Sequence, residues 1–145
     1  MSEKIQVNIK QFNRLMKKKS LSSLKKELDD LFSLYVRQRD ADEDGYNQCA
    51  TCKYPYHWKN LQCGHYYSRK ILSLRYNEQN TAPQCVSCNI YNEGEKPAFA
   101  LYLKEEYGEN ILEKLEIKKN SRSNIDRFWF EIQIKYYKEK CEKFQ

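Results

Sequence analysis

The 145-residue chain carries 26 Lys plus Arg against 20 Asp plus Glu, a formal net charge of +6, and its length fits one domain or one small core with helical arms. Leu, Ile, Val and Phe together supply 31 residues, little above the roughly 20% mark below which charged chains stay unfolded, so the six cysteines are the obvious reinforcement. The longest apolar run, Ala98 to Leu103, is too short to cross a bilayer, and the charged N-terminus lacks the apolar stretch of a secretory signal. A reducing, cytoplasmic location is therefore expected, where clustered cysteines hold metal and seldom pair as disulfides.

Charge is unevenly distributed. Residues 1–26 hold eight Lys/Arg and one acid, residues 27–117 ten and fifteen, and residues 118–145 eight and four. Basic ends of this kind meet a polyanion such as nucleic acid, or simply solvate exposed helices.

The reading divides the chain into a basic arm (1–19), a core with a leading helix (20–118) and a C-terminal amphipathic helix (119–145). In the arm, Ile9, Phe12, Leu15 and Met16 are spaced as in a weak helix. From Ser20 to about Arg39 the spacing of Leu21, Leu24, Leu28, Leu31 and Tyr35 predicts a strongly amphipathic helix, with Lys25, Glu27, Asp29 and Asp30 on its other faces. A turn-rich stretch, Asp40 to Gln48, follows. Tyr54 to Trp58 and Leu61 to Tyr67 read as short strands, and a short helix is expected from Cys85 towards Tyr91. Helices are expected over Phe99–Tyr107, stopped by Gly108, and over Ile111–Lys118. After the polar break Asn120–Asn124, Ile125, Phe128, Trp129, Ile132 and Tyr136 share a stripe that reads as core, without a functional role.

Cys49-Ala-Thr-Cys52 and Cys85-Val-Ser-Cys88 are two C-x-x-C knuckles separated by 32 residues. Each turn offers two thiolates, and four complete the tetrahedral shell of a structural Zn²⁺, which would supply folding free energy that the thin apolar core lacks. A Cys3His shell in which Cys63 and His65 displace one knuckle stays open. Cys141 reads as a plain thiol, and His57 beside Trp58 as structural. Asp40, Asp42, Asp44 and Gly45 imitate the start of a calcium-binding EF-hand loop, but Thr51 stands where the bidentate Glu is needed, so a solvated acidic turn is expected.

Between and after the knuckles stand Gly64-His65-Tyr66, Asn80 and Asn89. This His…Asn…C-x-x-C-Asn order resembles the HNH nucleases. More closely, the chain resembles the phage NinG (Rap) family of recombination endonucleases. The residues carrying that likeness are Arg37-Gln-Arg39-Asp40-Ala-Asp42, the two knuckles, His57-Trp58-Lys59, Gly64 to Arg69, Leu74 to Asn80, Gln84, Asn89 and Tyr107-Gly108. The resemblance implies an α+β fold: a small ββα-metal, treble-clef-like zinc core with flanking amphipathic helices, mostly helical overall. It also implies a phage protein that cuts branched recombination DNA in the host cytoplasm, using Mg²⁺ or Mn²⁺. Symmetric cutting of two strands would favour a homodimer.

The roles implied are His65 as general base, Asn80 orienting its imidazole, and Asn89 donating its carbonyl oxygen to the catalytic cation. Imidazole suits proton abstraction near neutral pH, a divalent cation can neutralise a departing alkoxide, and guanidinium grips phosphate in two places. Arg69 and Arg75 are accordingly the expected phosphate clamps. The acidic cation ligand that many HNH enzymes place before the histidine is here Gly64; Gln62 lies nearby, and Glu78 and Glu93 are the candidate substitutes. Basic arms and zinc knuckles would equally serve a DNA-binding or adaptor module without catalysis.

Overall fold

The Ser20 hydroxyl accepts the Ser23 amide at 3.1 Å and opens helix α1, Leu21–Gln38, in a computed structural model that describes Gln11 and residues 18–144. An N-cap of this kind contributes about 1 kcal/mol. The helix expected in the arm over residues 1–19 lies almost wholly outside the described residues. The buried face of α1 is Leu24, Leu28, Phe32 and Val36; Leu31 and Tyr35 are only partly covered, and Leu21 is 54% exposed. The expected stripe is therefore corrected by a rotation about the helix axis that turns Phe32 and Val36 inward and leaves Leu21 outside.

Strands β1 (Tyr46–Gln48) and β2 (Pro55–His57) form an antiparallel hairpin with Tyr46 opposite His57. Where a turn was expected before Gln48, Asp42 Oδ1 accepts the amides of Asp44 and Tyr46 at 3.0 and 2.8 Å and feeds the chain into β1. Strands β3 (Leu61–His65) and β4 (Thr81–Cys85) pair antiparallel, Leu61 against Cys85 and His65 against Thr81. Pro83 is tolerated in the buried β4 because its carbonyl faces the Ala50 amide (2.8 Å), so its missing N–H is on the side away from β3. Between these strands lies the one-turn helix α2, Leu72–Arg75, and after β4 comes a π-helical turn, Ser87–Tyr91.

Helix α3 (Lys96–Tyr107) starts three residues before the expected Phe99, with Pro97 in its first turn, and ends at Gly108; α4 is Ile111–Lys119. Phe99 and Leu103 of α3 pack with Ile111 and Leu115 of α4, Leu74 and Ala82 in a second small core. Helix α5, Arg127–Glu142, is capped by the Asp126 side chain and lies parallel to α1: Lys138 meets Glu27 at 3.0 Å, and the Cys141 thiol donates to the Leu31 carbonyl at 3.6 Å.

The inward face of α5 corrects a second expectation. Phe130, Ile134, Tyr137 and Cys141 are buried, whereas Phe128, Ile132 and Tyr136 are exposed by 67%, 47% and 44%. Of the expected stripe, only Ile125 and Trp129 lean on this core, Trp129 against Tyr76. The architecture is thus mostly helical with two small antiparallel sheets, and no described helix is long and apolar enough to cross a membrane.

Candidate metal centre and adjoining cleft

The β1–β2 connection carries the first knuckle. Lys53 takes a left-handed backbone (φ 64°), which turns the chain after Cys52, and its amide donates to the Cys49 carbonyl at 2.9 Å. The second knuckle begins on the last residue of β4 and closes in the π-turn, where the Cys88 amide donates to the Cys85 sulfur at 3.5 Å. The ligand atoms of Cys49, Cys52, Cys85 and Cys88 all lie within 4.8 Å of one another, Cys52 and Cys85 at 3.9 Å. Tetrahedral zinc–thiolate bonds of about 2.3 Å space sulfurs roughly 3.8 Å apart, so the four could bind a metal such as zinc.

Burial opposes ionisation of Cys49, yet the surrounding amides and the Thr51 hydroxyl draw its thiol down to about 6. Burial and the neighbouring sulfurs push Cys88 up to about 12. Four sulfurs this close do not all ionise unaided; a divalent cation among them removes their mutual repulsion. Cys63 stands outside the group, its thiol raised to about 12 by burial, and Cys141 is a buried thiol against α1.

Beyond the cysteines, a cleft of about 910 Å³ opens between α1, β3 and the π-turn; Gln62, Cys63, His65, Arg69, Arg75, Asn89, Glu93 and Lys96 line it, with Asp29 and Arg37 from α1. His65 Nε2 lies 2.9 Å from the Arg75 carbonyl. A carbonyl only accepts, so Nε2 carries the proton and, in the neutral ring, Nδ1 keeps the lone pair. Burial foremost, opposed by the bond to the Arg75 carbonyl and aided by the charges of Arg69 and Arg75, favours that neutral ring and holds its pKa below the ordinary histidine value.

The Arg75 carbonyl is itself anchored. Arg75 is 9% exposed, and its guanidinium donates to both Asp29 oxygens (Nε 2.9 Å, Nη2 2.6 Å) and to the Arg69 carbonyl (3.1 Å). Tyr76 donates to the same carboxylate at 2.8 Å and Arg69 reaches it at 3.3 Å. Burial works against ionisation of Asp29, but these donors outweigh it and hold the carboxyl below its usual value. Arg75 is consequently not a free phosphate clamp, contrary to expectation: three of its five N–H donors are bonded within the protein and its charge is paired with Asp29, and what it offers His65 is a carbonyl. Arg69, 58% exposed at its side chain, keeps donors for a ligand.

Asn80 is fully buried, and it too departs from expectation. Its Oδ1 accepts the Tyr67 amide (2.9 Å) and its Nδ2 donates to the Tyr67 and Leu74 carbonyls (3.0 and 3.2 Å). It staples the backbone just after His65 and makes no bond to the imidazole. Asn89 Nδ2 donates to Gln62 Oε1 at 2.8 Å, and among the described residues no donor reaches its Oδ1. Glu78 is drawn away by the hydroxyls of Tyr137 (3.0 Å) and Tyr35 (3.4 Å), which leaves Glu93, on the cleft, as the one of the two candidate acids near Asn89.

The structure also supplies a reason for Gly64. A Cβ there would sit 2.0 Å from Gln84 Oε1, and the buried Gln84 is held by bonds from its Nε2 to Thr51 Oγ1 (3.1 Å) and the Gly94 carbonyl (2.9 Å). Gln84 thereby ties the first knuckle to the segment Glu93-Gly94-Glu95, in which all three residues are left-handed (φ 53°, 85° and 49°). Two of them are not glycine, and each such residue costs on the order of 1 kcal/mol. That turn returns Lys96 over the end of β3, where its Nζ donates to the His65 and Tyr66 carbonyls at 2.6 Å each. Asp29 and Lys96 were not singled out from the sequence. Asp29 reads there as one more charge on α1, whereas the Gly94-Glu95-Lys96-Pro97 helix start was a usable signal for Lys96.

No curated protein and no solved structure matches the chain. A family model described as Bacteriophage Lambda NinG protein matches residues 2–145, and the chain belongs to that family.

Proposed function

We propose that the chain is a metal-dependent endonuclease that hydrolyses phosphodiester bonds in branched recombination DNA, with β3, β4 and the π-turn as a zinc-stabilised HNH-type hairpin. The observation that carries this reading is the neutral His65, its Nε2 proton tied to the Arg75 carbonyl within a cleft bearing five cationic and three acidic side chains. Nδ1 takes a proton from water as the water oxygen bonds to phosphorus; one P–O ester bond breaks and the leaving oxygen acquires a proton. Asn80 holds the backbone beyond the base in place, and Arg69 binds phosphate. A divalent cation such as Mg²⁺ or Mn²⁺, held by Asn89 and Glu93, would neutralise charge on the departing oxygen. Zinc on the four cysteines has no open position and serves the fold.

Selectivity for branches, a homodimer and a cytoplasmic site of action are expectations that come with the family likeness. The test is incubation of the protein with Mg²⁺ or Mn²⁺ and either four-way junctions or linear duplex. Incision by wild type that His65→Ala abolishes supports the reading. A chain that binds DNA and cuts none is instead a zinc-stabilised binding or adaptor module.

A further inference from the structure

We propose that Lys96 is a phosphate-binding residue of the cleft, its ammonium contacting the backbone of bound DNA beside His65. The inference rests on the nuclease reading only for the polyanion's identity. An ammonium has three donors. Two are spent on the His65 and Tyr66 carbonyls, which leaves one for the cleft that Lys96 lines. Its charge is unspent as well. Of the other cleft cations, Lys26 pairs with Asp30 at 2.9 Å, Arg69 and Arg75 with Asp29 at 3.3 and 2.6 Å, and Arg37 turns its donors to Ser33 and the Trp58 carbonyl, whereas no carboxylate of the described residues lies within 4.0 Å of Lys96.

The position is built, too. The left-handed run Glu93-Gly94-Glu95 places the residue, the Tyr66 and Phe99 rings flank the ammonium at 5.6 and 5.7 Å, and a Cβ on Gly94 would meet Lys96 Nζ at 3.3 Å. A lysine required only to fill space would not need two strained residues, Glu93 and Glu95, to fold it back onto two carbonyls. With the Arg75 charge paired with Asp29, Lys96 stands beside Arg69 as a phosphate cation of the cleft.

The test uses variants of the full chain and a fluorescein-labelled 20-base-pair duplex in magnesium-free buffer. Lys96→Gln keeps N–H donors for the carbonyls and removes the charge; Lys96→Met keeps the stem between the rings and removes both. Either should lower the slope of log affinity against log salt by about 0.9, the value of one phosphate contact, while Lys96→Arg retains it. Lys114→Gln, an exposed charge on α4 outside the cleft, should leave the slope unchanged. With Mg²⁺ added, Lys96→Gln should cut about 100-fold more slowly than wild type. An unchanged slope in both charge-removing variants, or an equal drop in Lys114→Gln, overturns the proposal whatever the cleavage result. A Lys96-dependent slope in a protein that cuts nothing keeps Lys96 as a DNA contact and refutes the nuclease reading alone.

Discussion

Replacing Asp29 by Ala strands the Arg75 guanidinium inside the cleft wall. Arg75 is 9% exposed, and two of its three side-chain bonds end on the Asp29 carboxylate, at 2.9 and 2.6 Å. Removing one partner of a buried pair costs roughly 3–5 kcal/mol, and the 23% exposure of the Asp29 side chain puts this case at the low end, about 3 kcal/mol. For a chain of this size each kcal/mol moves the midpoint by roughly 3–4 °C, so thermal melting followed by circular dichroism should fall by about 10 °C. Removing both charges, as Asp29→Leu with Arg75→Met, should recover much of that loss, because the dominant cost is the unpaired guanidinium and not the missing attraction. The same single variant loosens the carbonyl that holds His65 Nε2, so cleavage measured well below the new midpoint should fall further than unfolding explains. An Asp29→Ala protein that melts within 2 °C of wild type, or a double variant no more stable than the single one, would refute this account of the clamp.

Chelating zinc, or Cys85→Ser, should lower the melting midpoint by more than about 10 °C, since a closed four-thiolate site contributes folding free energy directly; equal melts with and without metal would contradict a structural ion. The pH dependence follows from His65, whose folded pKa lies below its ordinary value of about 6.5. Folding favours the neutral ring, so stability is lost as pH falls below about 6.5, and the acid limb of kcat/KM should lie below 6.5 as well; a limb above 7 would exclude His65 as the base. Gly64→Asp should cost about 3 kcal/mol in urea unfolding without raising cleavage, because Gln84 must leave Thr51 and Gly94 to admit the new side chain. Phe130→Ala should cost about 3–4 kcal/mol in the same assay and Phe128→Ala less than about 0.5 kcal/mol, the reverse of what the apolar spacing of the C-terminal helix predicts.

The knuckles and α1 were legible because their signals are local: two cysteines on one turn, and leucines repeating at helical spacing. The face of α5 was not, because Phe128, Trp129 and Phe130 are consecutive and give the helix two apolar sides, between which only the position of α1 decides. Thr-Ala-Pro-Gln-Cys lacks the composition of a strand, and β4 exists because Pro83 turns its missing donor away from β3 and because Gln84 finds partners 33 residues before it and 10 after. Arg75 shows the same limit from the side of function. In sequence it is a cation beside a candidate catalytic segment; in space it belongs to Asp29, 46 residues earlier, and contributes a backbone oxygen to the site.

The central claim is that the His65 cleft performs chemistry and does not merely bind DNA. Its most direct test is a single-turnover cleavage rate on a labelled four-way junction, wild type beside His65→Ala, with binding affinity measured on the same preparations. The account predicts equal affinity and a rate lowered by about 10²–10⁴-fold in the variant, the usual worth of a positioned general base. Equal rates in the two proteins, or a wild type that binds the junction and leaves it intact, would contradict it.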